Sequence, residues 1–179
     1  MAADNRIVLI LGGARSGKSS YAQQLAAERG GRVLFCATAQ ALDDEMQQRI
    51  NAHRQSRPFD WDTLEIADGL ADALEGVAGK YDTVIIDCIT LLAANCLGET
   101  DDPATAEKVV GAEVDTLIEL MVRSACSFIL VSNEVGSGIV PDNKLARTYR
   151  DALGRANQGL ARAAHEVILM TAGLPLKLK

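Results

Sequence analysis

The sequence has few of the residues that build zinc sites and disulfides. It contains two histidines and four cysteines among 179 residues, and no two cysteines form a C-x-x-C pair. Structural zinc sites are built from clustered Cys and His, so this composition argues against one. Cys36, Cys88 and Cys126 lie in or beside apolar runs. We therefore predict that they are small core residues of a protein from a reducing compartment.

Basic runs and long apolar runs are also absent. The formal net charge is −6, and no cluster of Lys and Arg offers a general footprint for a nucleic-acid backbone, so we expect no nucleic-acid partner. No apolar run approaches the roughly 20 residues of a membrane span. Residues 1–6 lead directly into an apolar run, so we expect no signal peptide and a cytoplasmic protein. The length predicts a single domain, residues 1–179, with a substantial core.

What the chain does have is a phosphate-loop pattern, G-x-x-x-x-G-K-[ST], at residues 12–19. The apolar run Ile7–Leu11 precedes it and a helix-forming stretch follows, which disfavours a chance glycine turn. The glycines allow the main chain to wrap a phosphate at a helix N-terminus. We expect Lys18 to reach the β- and γ-phosphates and the Ser19 hydroxyl to bind Mg²⁺. The pattern indicates a nucleoside triphosphate and leaves its reaction open. The loop consists of Gly12, Gly13, Ala14, Arg15, Ser16, Gly17, Lys18 and Ser19.

Apolar runs alternate with helical patterns along the chain. This alternation predicts an α/β fold like that of P-loop NTPases, with an open, mostly parallel sheet flanked by helices. Ligands of such sheets bind at the carboxyl ends of the strands. The predicted strands are Ile7–Leu11, Arg32–Ala37, Thr83–Asp87, Phe128–Ser132, Val167–Thr171 and Leu176–Leu178. The predicted helices are Gly17–Arg29, Leu42–Arg54, Leu70–Val77, Ala104–Cys126 and Asn143–His165. The candidate site is therefore formed by segments 12–19, 37–41, 87–90, 132–141 and 171–175.

Polar residues follow three of these strands. Asp87 ends an apolar strand, where an acid either holds Mg²⁺ in phosphate-loop proteins or caps a helix. Thr38 or Gln40 either faces a ligand or belongs to a capped helix start. The glycine-rich segment 132–141 is a candidate ligand loop or a long connection. The charged helix after it carries Arg147 and Arg150 at positions that either reach an anionic substrate or form a solvated face.

His53 lies near the end of a predicted helix, close to Arg49, Arg54 and Arg57. A neutral imidazole is a competent nucleophile, and its attack on the α-phosphate of a nucleotide gives a phosphoramidate, an activated donor. Neighbouring arginines favour the neutral ring and bind phosphate. A surface histidine that caps the helix C-terminus is the alternative, and residue chemistry alone favours it. For His165 we expect packing or capping only.

Together and in this order, the segments resemble one family: the bifunctional adenosylcobinamide kinase / adenosylcobinamide-phosphate guanylyltransferases of cobalamin biosynthesis. The resemblance covers nearly the whole chain, and the Asn133–Gly136 segment with the His53 region is its most specific part. The motifs that carry it are residues 12–19, Ala37–Gln40, Asp43–Met46, Arg49-Ile50, His53-Arg54, Arg57-Pro58, Asp87-Cys88, Thr90, Asn133–Gly136, Gly138–Pro141, Asn143, Leu145–Arg147, Arg150-Asp151, Gly154 and Asn157-Gln158.

The resemblance implies two reactions. ATP or GTP phosphorylates the aminopropanol hydroxyl of adenosylcobinamide, and GMP from GTP is then joined to that phosphate. It further implies a homo-oligomer, a trimer in some members, and makes His53 the residue that carries GMP. The nucleotide-binding positions it implies are residues 12–19, Ala37, Thr38, Ala39, Arg54, Gln55, Ser56, Arg57, Glu65 and Asp87.

Two rival interpretations remain at this point. A plain small-molecule or nucleotide kinase uses the same loop and needs no nucleophilic histidine. A non-catalytic nucleotide switch binds triphosphate without turning over an acceptor.

Overall fold

The computed structural model describes residues 5–40, 44–55 and 57–179. Within them, seven strands form one sheet in the order β3-β2-β4-β5-β1-β6-β7. The pairs from β3 through β6 are parallel, and β7 is antiparallel to β6. The predicted α/β fold is thereby confirmed. The strands are β1 (Ile7–Gly12), β2 (Val33–Ala37), β3 (Asp62–Glu65), β4 (Thr83–Asp87), β5 (Ser127–Val131), β6 (Glu166–Thr171) and β7 (Leu174–Lys177).

Helices follow most of the parallel strands, as the alternation predicts. They are α1 (Lys18–Arg29), α2 (Asp44–Gln55), α3 (Leu70–Leu74), α4 (Ile89–Leu97), α5 (Pro103–Arg123) and α6 (Lys144–Ala163), with a short 3-10 turn at Ala78–Lys80. Two elements were not predicted: strand β3 and helix α4. The start predicted for α2, at Leu42, falls outside the described residues.

Side chains alternate across the sheet and separate the core into two layers. Ile7 and Leu9 of β1 pack on one face with residues of α3, α4, α5 and α6. Val8 and Ile10 pack on the other face with Ala22 and Ala26 of α1. This arrangement follows from the period-2 alternation of a strand that is buried on both sides. None of the helices in the described part of the chain is long and apolar enough to cross a membrane.

His165 joins α6 to the first strand. Its Nδ1 accepts a hydrogen bond from the main-chain N–H of Ile7 at 3.0 Å. The residue is exposed, and this hydrogen bond lies at the start of β1, at the opposite end of the strand from the phosphate loop.

Candidate nucleotide site

The phosphate loop joins β1 to α1 through a turn that needs glycine at Gly12. Its φ is +151°, and a Cβ there would lie 2.5 Å from the Met170 carbonyl oxygen and 2.6 Å from Ser16 Oγ. The Gly173 N–H donates to the Ser16 carbonyl at 3.1 Å, so the turn between β6 and β7 also supports the loop. Residues 15–20 enclose a cavity of about 310 Å³ at the start of α1. Main-chain amides at a helix start suit a phosphate.

Lys18 lies folded against its own loop. Its Nζ donates to the Gly13 carbonyl oxygen at 2.6 Å, and only 8% of the residue is exposed. Burial lowers the pKa of Lys18, while Cys88 and Asp87 raise it in part. The amine is thus held close to the acidic end of β4, and it needs only to exchange a carbonyl oxygen for a phosphate oxygen to act on a bound nucleotide.

A larger cavity of about 370 Å³ opens along the carboxyl ends of the parallel strands. It brings together nine of the predicted nucleotide-binding residues. Ser16 and Gly17 line the smaller cavity instead. Six further lining residues were not among the predicted nucleotide-binding residues, although Cys88, Thr90 and Asn133 lie in the strand-end segments predicted to form the site. The predicted residues that line the larger cavity are Ala14, Arg15, Lys18, Ser19, Ala37, Ala39, Arg57, Glu65 and Asp87, and the additional ones are Ile50, Cys88, Thr90, Leu91, Val131 and Asn133.

Ser19 and Asp87 both line this cavity, so a hydroxyl and a carboxylate oxygen face the same space as Lys18. These are oxygen ligands of the type that Mg²⁺ takes, usually with several waters and phosphate oxygens completing its shell. Among the described residues there is no cluster of three or more His, Cys, Asp or Glu that could hold a metal by protein ligands alone. The set therefore suits a cation that arrives with a nucleotide.

Thr38 is fully buried and joins the ends of two strands. Its hydroxyl donates to the Cys88 carbonyl at 2.7 Å and accepts from the Cys88 N–H at 2.9 Å. Asn95 Nδ2 donates to the Thr38 carbonyl at 2.9 Å. The side chain of Thr38 thus fixes β2 to the segment after Asp87, while its neighbours Ala37 and Ala39 line the cavity.

Arg57 brings buried positive charge to the cavity. Its Cζ lies 3.9 Å from the centre of the Phe35 ring, a cation–π contact. Its Nε and Nη1 are buried and have no hydrogen-bond partner among the described residues. Burial lowers the pKa of Arg57, and the nearby Asp87 and Glu65 oppose that shift. Buried donors without partners are costly, so this guanidinium is suited to an anion in the cavity.

Helix α2 carries His53 on its last turns, and the main chain there is helical as predicted. The side chains of His53 and Gln55, and the whole of Ser56, lie outside the described parts of the structure. Arg54 does not line the cavity; it forms an ion pair with Glu65 at the end of β3. This pair attaches the end of α2 to the edge of the sheet.

The segment after β5 is attached to the end of β1 and to the first turn of α4. The Glu134 N–H donates to the Gly12 carbonyl at 3.1 Å, and the Asn133 N–H donates to Thr90 Oγ1 at 2.7 Å. The Glu134 carboxylate accepts from the N–H groups of Gly136 and Ser137, and its pKa is lowered by hydrogen bonds from Ser137 and Gly136. Of this segment, Asn133 is the residue that lines the cavity.

Arg147 and Arg150, the two arginines after this segment, are engaged by the chain itself. Arg147 Nη1 donates to the carbonyls of Pro141 and Asp142 at 2.8 and 2.6 Å. Arg150 pairs with its neighbour Asp151. Neither lines the described cavity.

Comparison with known proteins is consistent with this geometry. The family model described as cobinamide kinase / cobinamide phosphate guanyltransferase matches residues 8–178. The chain belongs to this family. It is 41% identical to the bifunctional adenosylcobalamin biosynthesis protein CobU of Escherichia coli (strain K12), over 97% of this chain and 99% of that protein. It is 44% identical to the bifunctional adenosylcobalamin biosynthesis protein CobP of Pseudomonas aeruginosa, over 96% of each chain.

The fold is similar to that of a more distant protein. The crystal structure of the flagellar accessory protein FlaH from Methanocaldococcus jannaschii matches with a TM-score of 0.50 and 18% identity, over 97% of this chain and 78% of that one. This likeness concerns the architecture alone. Membership of the cobinamide kinase / cobinamide phosphate guanyltransferase family rests on the family model and the closer relatives.

Proposed function

We propose that this chain catalyses both reactions of its family: phosphorylation of adenosylcobinamide by ATP or GTP, and transfer of GMP from GTP to the resulting phosphate. One observation carries the proposal. A single cavity joins the phosphate-loop residues Lys18 and Ser19 and the strand-end acid Asp87 to Arg57, just beyond the helix of His53. A plain kinase or a nucleotide switch needs only Lys18, Ser19 and Asp87, and has no need of Arg57 or His53.

In the kinase step, the acceptor hydroxyl attacks the γ-phosphorus. A new oxygen–phosphorus bond forms as the bond from the γ-phosphorus to the bridging oxygen breaks, the nucleoside diphosphate leaves, and the hydroxyl proton passes to solvent. Loop N–H groups and Lys18 stabilise the negative charge that collects on the phosphate oxygens. Ser19 and Asp87 would hold Mg²⁺, which neutralises part of that charge when bound.

In the guanylyl step, the His53 imidazole attacks the α-phosphorus of GTP. A nitrogen–phosphorus bond forms, the bond from the α-phosphorus to the bridging oxygen breaks, and pyrophosphate leaves. An oxygen of adenosylcobinamide phosphate then displaces the imidazole, which gives adenosylcobinamide-GDP. The buried, unpaired donors of Arg57 suit an α-phosphate whose charge increases during attack. Arg54, Gln55, Ser56 and Glu65 complete the proposed nucleotide set.

The decisive experiment incubates the protein with α-labelled GTP and Mg²⁺ without an acceptor. A phosphoramidate predicts an adduct that is labile to acid and stable to base. Because the chain has only two histidines, His165→Asn is the matched control for His53→Ala. We expect the label to be lost in His53→Ala and kept in His165→Asn, while His53→Ala retains kinase activity. A folded, kinase-active wild type that takes up no label rules out the histidine mechanism.

Lys18→Ala separates the proposal from its rivals. Both reactions use the loop, so both should fall by about 100-fold or more, because one preorganised cation is removed from the phosphates. Kinase activity that survives this change contradicts our assignment of the loop. A plain kinase phosphorylates adenosylcobinamide without forming the label, and a switch binds triphosphate and does neither.

We further propose that the chain is a single cytoplasmic domain, residues 1–179, that assembles as a homo-oligomer, with a trimer as the expected state. One continuous sheet supports the single domain. Size-exclusion chromatography with light scattering measures the assembly, and a monomer at micromolar concentration contradicts it.

A further inference from the structure

Asn133 is fixed by its main chain and leaves its side chain for the cavity. Its N–H donates to Thr90 Oγ1 at 2.7 Å, and its carbonyl accepts from Asn157 Nδ2 at 3.1 Å. Asn157 Oδ1 in turn accepts from the Ser132 hydroxyl at 2.7 Å. Asn133 lines the cavity, and its carboxamide makes no hydrogen bond with any residue that the structure describes.

The sheet order gives this side chain a particular place. Strand β5 lies between β1 and β4, and Val131 is in register with Ile10 on one side and Asp87 on the other. Asn133 lies two residues beyond Val131, at which β5 ends. The N–H of its neighbour Glu134 donates a hydrogen bond to the carbonyl of Gly12, at the start of the phosphate loop. Adjacent strands are about 4.8 Å apart, so the Asn133 carboxamide emerges between the phosphate loop and the carboxylate of Asp87.

The helix of His53 approaches from a different direction. Arg54, the next residue, is paired with Glu65 on the edge strand β3. Strand β2 lies between β3 and β4, so this pair is on the other side of Asp87 from β5 and β1. Lys18 and the proposed Mg²⁺ ligands act on the β- and γ-phosphates. Asn133 therefore lies on the γ-phosphate side of Asp87, while the helix that carries His53 is anchored on the other side.

We propose that Asn133 is a catalytic residue of the kinase step alone, and this inference rests on the proposed function. Its Nδ2–H donates a hydrogen bond to an oxygen of the γ-phosphoryl group during transfer to the acceptor hydroxyl. No proton leaves the amide. This hydrogen bond is stronger in the transition state than in the bound ground state. It therefore raises kcat more than it tightens nucleotide binding. Attack on the α-phosphorus by His53 does not use it.

The test compares Asn133→Ala and Asn133→Asp with wild type in both half-reactions. Asp keeps the shape of Asn but replaces the N–H donor by a negative charge, so it serves as the second variant if Ala disturbs the fold. Gln24→Ala is the matched control, because it removes an exposed carboxamide of α1 whose partner is Glu28. Kinase kcat and KM are measured with ATP and adenosylcobinamide, and label uptake is measured with α-labelled GTP.

We expect kinase kcat to fall by about 100-fold in both Asn133 variants, the effect of losing one preorganised donor. The KM for ATP should be nearly unchanged in Asn133→Ala and raised in Asn133→Asp, because the new carboxylate repels the phosphates. Label uptake should stay within about threefold of wild type. Equal loss in both half-reactions, or kinase activity at the wild-type level, overturns the assignment. A wild type inactive on adenosylcobinamide defeats the proposed function instead. In that case the slow hydrolysis of ATP to ADP and phosphate is measured in wild type and in the Asn133 variants. A loss of about 100-fold in the variants supports the role of Asn133, and an unchanged rate contradicts it.

Discussion

Arg54 and Glu65 form a two-point ion pair that joins the last turn of α2 to the end of β3. Arg54 Nε lies 2.7 Å from Glu65 Oε1, and Arg54 Nη2 lies 2.6 Å from Glu65 Oε2. Both side chains are about half exposed, at 47% and 46%, so the pair contributes at most about 1 kcal/mol to the free energy of unfolding. Its importance lies in the position that it gives to the helix of His53.

Arg54→Lys and Glu65→Gln should therefore slow the labelling of the protein by α-labelled GTP about tenfold, because a nucleophile that is less well placed attacks less often. A lysine cannot reproduce the planar, two-point contact. Kinase kcat should change less than threefold. Arg155→Lys is the matched control, because Arg155 pairs with Glu107 at 2.9 Å on the surface of α5 and α6. Labelling at the wild-type rate in both variants would show that the pair does not position His53.

Gly12→Ala and Gly13→Ala should differ sharply in stability. A Cβ on Gly12 meets the main-chain oxygen of Met170 at 2.5 Å, whereas a Cβ on Gly13 meets no heavy atom within 4 Å. We expect Gly12→Ala to lose about 2 kcal/mol or more of unfolding free energy, and Gly13→Ala to lose less than about 1 kcal/mol. Urea unfolding of the two variants measures the difference. Equal midpoints would mean that the turn at Gly12 opens without cost.

Arg57→Met should separate stability from binding. Methionine keeps an apolar contact with Phe35 but removes the two buried donors that lack partners. The free energy of unfolding of the unliganded protein should therefore stay the same or rise by up to about 1 kcal/mol, because the desolvation cost of those donors disappears. The Tm should not fall. GTP binding, measured by calorimetry, should weaken about tenfold or more because a charge-assisted contact is lost. Unchanged GTP affinity in the variant contradicts a role for Arg57 in the site.

Tyr149 should make the protein less stable in strong alkali. Its hydroxyl donates to the Thr90 carbonyl at 3.2 Å, and burial raises its pKa to about 12. The unfolded chain has a tyrosine pKa of about 10, so folded protein retains a proton that unfolded protein releases. The stabilisation is complete below about pH 10 and is lost as the pH rises towards 12.

The measurement for Tyr149 compares the urea midpoints of wild type and Tyr149→Phe between pH 9 and the highest pH at which both fold. Tyr81, whose pKa is also raised, is present in both proteins, so its contribution cancels. The urea midpoint of the wild type should fall relative to that of Tyr149→Phe as the pH rises. A difference between the two that does not vary with pH would show that Tyr149 titrates as it does in the unfolded chain.

The sequence predicted the elements that are buried on both faces and missed those that are not marked by a simple pattern. Strand β3 has exposed residues at three of its four positions and pairs only with β2, so no apolar run indicates it. Helix α4 is apolar on nearly every side because it packs between the sheet, α5 and α6. Its run of apolar residues therefore lacks the one-sided period of a surface helix.

The same distinction applies to the site. Local spacing identified Lys18 and Ser19, and the end of an apolar run identified Asp87, because each of these two signals is contained in a few consecutive residues. The sequence placed segment 132–141 at the site but did not single out Asn133. The position of Asn133 between the phosphate loop and Asp87 depends on the strand order, and so on pairings between residues more than 40 positions apart, such as Asp87 with Val131. No local pattern encodes that order. The unpaired donors of Arg57 become visible only after Phe35 and the rest of the cavity wall are in place.

The hydrogen bond between Glu134 and Gly12 has a mechanical consequence. The first glycine of the phosphate loop is held by the main chain of the segment after β5. The exposed side chains of Ile139 and Val140 lie farther along the same segment, outside the cavity. A shift of Gly12 would thus be passed directly to the main chain that carries Asn133 into the cavity wall, so the phosphate loop and this segment behave as one mechanical unit.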